Sequence, residues 1–161
     1  MGKTKKKKSG EVSNTIATNR RVRFEYEIIT IYQAGMELKG TEVKSLRAGH
    51  VNMTEGYIRI REDMQAWLMN VHISEYDHGN IHNHEPLRWR RLLLHKTEIR
   101  RLYGQIKEQG LTIVPLRMYH LRGKLKLEIA LVKGKKTHDK RETLKKRDAA
   151  MEIRRNMKNY E

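Results

Sequence analysis

The chain has 161 residues, the length of one ordinary domain, and 37% of them are hydrophobic, just under the usual globular share. Its 35 Lys and Arg against 19 Asp and Glu leave a formal charge of +16, which suits a polyanion far better than an acidic protein patch. With no Cys, disulfides, Cys-ligated zinc, iron–sulfur clusters and thiol catalysis are excluded.

In chain order, residues 1–18 are Lys-rich and then Ser/Thr/Asn-rich without any period, which predicts a mobile basic arm. The arm lacks the apolar run of a secretory signal, Lys6 breaks the myristoylation pattern, and no stretch approaches the roughly 18 apolar residues of a membrane helix. A cytoplasmic protein with no membrane partner is expected. From residue 22 to 32 the alternation of Val22, Phe24, Tyr26, Ile28 and Tyr32 with Arg23, Glu25 and Glu27 predicts a half-buried strand. GTEVKSLRAG at 40–49 predicts a short helix, with Thr41 as N-cap and Gly49 as stop.

Strands are predicted again at 57–61, with Ile58 and Ile60 inward, and at 65–73, around Trp67, Leu68 and Val71. A loop rich in Gly, Asn and Pro follows at 75–88. Ile99, Leu102, Tyr103 and Ile106 fall at helical spacing and predict a helix over 96–109, ended by Gly110. Residues 111–119 and 124–132 predict a closing hairpin. Five or six antiparallel strands in so short a chain imply a mainly β fold, a small closed or nearly closed barrel that hides its sheet edges, over about residues 19–132.

The tail, residues 133–161, opens KGKKTHDKRETLKKRD and offers only a thin apolar stripe of Leu144, Ala150, Met151, Ile153 and Met157. A lone helix so charged is marginal in water, so the tail is expected to be disordered alone and to order against phosphate.

Chemistry-bearing patterns are sparse. His72, His78, His82 and His84 crowd one loop and residues 82–84 spell His-Asn-His, but helical metal-ligand spacing is absent. A metal-dependent nuclease is therefore the weakest reading. No Gly-rich nucleophile elbow or phosphate-cradling loop occurs, and Glu25 and Glu27 have Arg20, Arg21 and Arg23 for ion pairing. Neither enzyme activity, catalytic residues, a metal nor a cofactor is expected. The basic clusters Asn19-Arg20-Arg21, Arg88-Trp89-Arg90-Arg91 and Lys133-Gly134-Lys135-Lys136 are each expected to adjoin a strand, so their charges would meet phosphates in fixed register. A basic RNA-binding barrel with a tail is the reading the residues support, with a structural ribosomal protein as the alternative.

GTEVKSLRAG at 40–49, PLRWRRLLLHKTEI at 86–99 and LEIALVKGKKTHDKRETLKKRD at 127–148 resemble the SsrA-binding protein family, also called small protein B, collinearly from Asn19 to the C-terminus. The resemblance implies a six-stranded antiparallel barrel related to the oligonucleotide-binding fold, with about three helices. It implies a monomer that binds the tRNA-like domain of transfer-messenger RNA and, with elongation factor Tu, delivers it to stalled ribosomes for trans-translation. Carried over residue by residue, barrel contacts to RNA fall at Asn19, Glu42, Lys44, Arg90, Arg91 and Leu93, the last as support. Arg20, Arg21, Tyr26, Gln33 and Arg88 join that set, Gln33 standing where Glu is usual. Lys133, Lys135, Lys136, His138, Asp139, Lys140 and Arg141 match the signature that enters the decoding centre of the small subunit and the empty message channel.

Overall fold

The computed structural model describes residues 14–158. In chain order these are β1 (Asn14–Thr18), α1 (Val22–Glu25), β2 (Tyr26–Met36), α2 (Gly40–Arg47), β3 (Val51–Asn52), β4 (Tyr57–Ile60), β5 (Ala66–Met69) and β6 (His72–Ile73). A single 3-10 turn at Asn80–His82 leads to β7 (Arg90–Leu93), α3 (Lys96–Gln109), β8 (Thr112–Leu121), β9 (Lys124–Gly134) and α4 (Thr137–Lys158).

The β8–β9 hairpin is the scaffold. Arg122 and Gly123 both take positive φ, 49° and 75°, which makes the two-residue turn whose twist matches the strands it joins. Antiparallel pairing then runs β8-β4-β5-β7-β2-β9 and returns to β8, a ring of six strands. The architecture is mainly β and barrel-like, as the alternation predicts. Register fixes the two faces of the ring. Ile113 pairs with Leu131, Ile58 with Ile113 and Leu68, and Ala34 with Leu127, so these side chains share the inner face and form the main core.

Two bulges let strands change face. Ile28 opposes Val132 but Thr30 opposes Leu131, so Ile29 is the extra residue, 46% exposed. Before it, Tyr26 and Ile28 pack with Val22, Val114, Ala130 and Val132 in a second cluster outside the ring; after it, Tyr32 and Ala34 face the main core. Leu116 plays the same part in β8.

Several expectations need correction. Residues 14–18, expected in the mobile arm, form β1, because β4 occupies β8 only at Ile113 and leaves 117–120 with an open edge that β1 covers; residues 1–13 lie outside the described residues. The strand expected from residue 22 begins at Tyr26. Its first four residues make α1, because Val22 seals the second cluster and Arg21 reaches Glu25 four residues on. The strand expected over 65–73 splits into β5 and β6 at Asn70, whose φ is 57°. The expected Thr41 cap is replaced by the carboxylate of Glu42, which accepts from the Lys39 N–H at 2.8 Å. Gly110, by contrast, ends α3 in the left-handed conformation foreseen for it. The tail, expected to lack structure of its own, is a continuous helix with no buried residue, its apolar stripe 42–68% exposed.

Gly56 lies where the chain enters β4, and a Cβ there would sit 2.6 Å from Val71 Cγ2 and 3.0 Å from Pro115 Cγ. Gly56→Ala should therefore cost about 1–3 kcal/mol by overpacking, whereas Gly104→Ala, with open space around it in α3, should gain about 0.5–1 kcal/mol. Urea unfolding of the two variants beside the parent measures the contrast.

Candidate nucleic-acid interface

Strand parity divides the Arg88-Trp89-Arg90-Arg91 group. Arg90 opposes Leu68, so it points to the inner side of the ring, while Arg91 opposes Trp67 on the outside. The inward guanidinium is wholly buried and meets Glu42 of α2, also wholly buried, at 2.8 Å between Nε and Oε1. Its remaining donors reach the carbonyls of Val71 at 2.7 Å and Pro86 at 3.0 Å. Arg88 forks onto the same carboxylate, with Nη2 to Oε2 at 2.7 Å and Nε to Oε1 at 3.1 Å. Burial would push the Glu42 carboxyl up, but Arg88, the Lys39 N–H and Arg90 outweigh it and hold it down at about 2. Burial lowers Arg90 from the ordinary guanidinium value, and Glu42 offsets part of that.

Glu42 and Arg90 thus have no surface to offer RNA. Their place in the site is corrected to positioning: α2 presents Glu42 from below, and the carboxylate holds Arg88, about a quarter exposed, at the rim. Thr41 and Ser45 of the same helix bind His84 Nδ1 at 2.8 Å and the Ser74 carbonyl at 2.6 Å. Lys44, on the open side of α2, lies over the Tyr76 ring at 5.1 Å.

Around this corner the outer face forms a cleft. Gly35 lies opposite Leu93 on one side and Lys126 on the other, and Leu93, 49% exposed, lines the cleft with Arg47, Val43, Lys124 and Lys126. Three cations on an apolar floor suit a phosphate backbone and the sugars or bases beside it. The sequence reading did not single out Arg47, Lys124 and Lys126 as neighbours of Leu93; the signal for the two lysines lay in the hairpin, whose turn brings them beside it. Gln33 is exposed, but its amide donates to the Tyr119 hydroxyl. Arg91 is held by Glu37 and by Gln65 Oε1 at 3.1 Å.

The Asn19–Arg21 cluster sits elsewhere, beside α1. Asn19 is 7% exposed and donates from Nδ2 to the Met53 carbonyl at 3.1 Å, which makes it a tie to the β3–β4 loop. Arg21 pairs with Glu25 and Glu55, Tyr26 is half-buried in the second cluster, and Arg20 is open to solvent. At the root of α4, Lys135 donates from Nζ to the Arg23 carbonyl and to Thr143 Oγ1, both at 3.0 Å. Lys133, Lys136, Asp139 and Arg141 are exposed, Lys140 is half-buried, and the His138 side chain is 80% exposed.

The histidine loop takes a structural part. His84 is 2% exposed, its Nε2 donating to the Ile73 carbonyl at 2.9 Å and its Nδ1 bonded to Thr41. Among the described residues no three His, Asp or Glu converge as metal ligands, and no helix is long and apolar enough to cross a membrane.

A family model described as "SmpB protein" matches residues 16–159. An SsrA-binding protein of Trichodesmium erythraeum is 57% identical over 96% of this chain and 99% of its own length. One from Nostoc punctiforme is 56% identical over 90% of this chain and 94% of its own. A solved structure described as "tmRNA-SmpB: a journey to the center of the bacterial ribosome" superposes with a TM-score of 0.63 and 49% identity, over 75% of this chain and 85% of that one.

The depressed Glu42 carboxyl makes a pH prediction. A carboxylate held at about 2 when folded and at the ordinary 4.5 when unfolded stabilises the fold fully above pH 4.5. That contribution, about 3 kcal/mol, is lost as pH falls from 4.5 to 2. Glu42→Gln leaves Arg90 buried without a counter-charge and should cost about 3–5 kcal/mol at pH 7. In urea unfolding the gap between the parent and this variant should narrow between pH 5 and 2.

Proposed function

The chain belongs to the SmpB protein family, and from that membership we propose that its ring and its tail divide the work of trans-translation. It binds transfer-messenger RNA and works on the ribosome, as the SsrA-binding proteins to which it is similar along nearly its whole length. The ring holds the tRNA-like part of that RNA through the cleft of Arg47, Leu93, Lys124 and Lys126 and the neighbouring Lys44 and Arg88. The tail enters the decoding centre and the empty message channel of the small subunit, where its cations replace the solvent they face in the free protein and hold α4 helical.

The observation that carries the division is the course of β9. Lys126 stands near its start, against the cleft, and Lys135 just past its end, at the root of α4. Nine residues of extended strand separate them by about 30 Å. That separation, along a strand paired on both sides, supports a reading in which one surface takes the RNA and the other the ribosome. His138, Asp139 and Arg141 at the exposed start of α4 meet ribosomal RNA in this reading, His138 by stacking on a base. The protein acts by binding alone, in the cytoplasm, as a monomer that accompanies the RNA and elongation factor Tu.

Two variants separate the halves. Deleting residues 137–161 leaves β9 and its pairing with β2 whole, so affinity for a tRNA-like fragment should stay near the parent value while tagging of stalled peptides in a translation extract is abolished. Arg47→Ala with Lys126→Ala should lower the slope of log affinity against log salt by about two, one for each lost phosphate contact. Tagging by the truncated chain would overturn the division.

A further inference from the structure

Outside the cleft, the outer face of β4, β5 and β7 carries a second organised surface. Arg59, Trp67 and Arg91 lie in one row across the three strands, and the row beside it brings Met69 together with Trp89. Arg59, Arg61, Trp67, Met69 and Trp89 line an open pocket of about 160 Å³. Trp89 is 51% exposed, an unusual state for so large an apolar ring unless something covers it. Arg59 and Arg61 are exposed, and among the described residues neither guanidinium is engaged in an ion pair.

We propose that this pocket binds one unpaired base of single-stranded RNA, stacked on the indoles of Trp89 and Trp67, with its flanking phosphate on Arg59 and Arg61. Two indoles lining one open pocket offer the π-face that any base can use, which gives affinity without a sequence code. The guanidiniums supply the charge that favours a phosphate-bearing chain over a neutral or acidic ligand. The neighbouring groove pairs Lys107 with the carboxylates Glu62 and Asp63, whereas the Trp side of Arg59 and Arg61 carries no acid among the described residues and is the side that takes the phosphate. The parity that turns Arg88 and Arg90 inward to Glu42 is what turns Trp89 outward. This site rests on the RNA-binding reading above and adds to it a contact for an unpaired stretch, separate from the cleft at Leu93.

The chain has two Trp, both in the pocket, so tryptophan fluorescence, excited beyond the tyrosine absorption band, reports this site alone. Titration of the full chain with a mixed-sequence RNA hexamer should quench that fluorescence to saturation, and an RNA duplex of equal length should leave it nearly unchanged. By anisotropy of the labelled hexamer, Trp89→Ala should weaken binding about ten-fold and Trp89→Phe, which keeps an aromatic face, less than three-fold. Arg59→Ala should weaken it and flatten its salt dependence. Trp89 stands half in solvent, so its removal leaves the fold intact. Equal affinity of Trp89→Ala and parent for the hexamer, equal quenching by the duplex, or binding of an acidic aromatic peptide in preference to the hexamer would each overturn the site. Quenching by adenosine monophosphate as strong as by the hexamer would overturn it in favour of a free-nucleotide site. Retention of the tRNA-like fragment on filters, run in parallel, keeps the two readings apart: a parent chain that retains no RNA sinks the RNA-binding reading itself, whereas retention with no effect of Trp89→Ala sinks only this pocket.

Discussion

A single carboxylate organises one end of this molecule. Glu42 and Arg90 are both out of water, and neither charge would be tolerable there without the other. The carboxylate also accepts from the Lys39 N–H and from Arg88, so it starts α2, binds it to the ring and sets the rim residue in one operation. Arg90 in turn gathers the carbonyls of Val71 and Pro86, so the loop from β6 to β7 is held by the same pair. Helix, ring and histidine loop are consequently one body, and the cations they display keep fixed spacings.

The ring has an inside that is spent on packing and an outside that is left for partners. Closure removes open edges, and the bulges at Ile29 and Leu116 let β2 and β8 serve two cores, one within the ring and one beneath α1. What remains on the outer surface is basic and aromatic in patches. Such a surface suits a nucleic acid read by shape and charge, and beyond Gly134 the chain leaves the ring as the exposed helix α4.

Much of the fold was legible in the residues. The period of two in β9 and the period of 3.6 in α3, with Gly110 as its stop, depend on neighbours alone and were read correctly. Val22 to Glu25 misled because their alternation fits a strand as well as one turn of helix; only the cover that Val22 gives to Val114 and Val132, about a hundred residues away, decides. β3 and β6, two residues each, are too short to carry any period. β7 was invisible for a different reason: RRLL places a charge where an inward strand residue should be apolar, and the partner that makes this possible, Glu42, lies 48 positions earlier. For the site, composition located the basic clusters but could not say which members face out. The resemblance pointed to Glu42 and Arg90 as contacts, yet both are wholly buried and paired with each other. Leu93, expected as support, is open to solvent.

The joint between β9 and α4 has a geometric consequence. Strand pairing continues to Gly134, the Lys135 N–H bonds to the Glu25 carbonyl, and helix begins at Thr137. No slack lies between sheet and helix, so the angular phase of the tail is inherited from the ring. One residue inserted at this joint would turn every side chain of α4 by about 100° about its axis, whereas four would return them to within about 40° of their first setting. The 22 residues of α4, about 33 Å when helical, then act as the pointer of an instrument whose zero is set by the last hydrogen bond of the sheet.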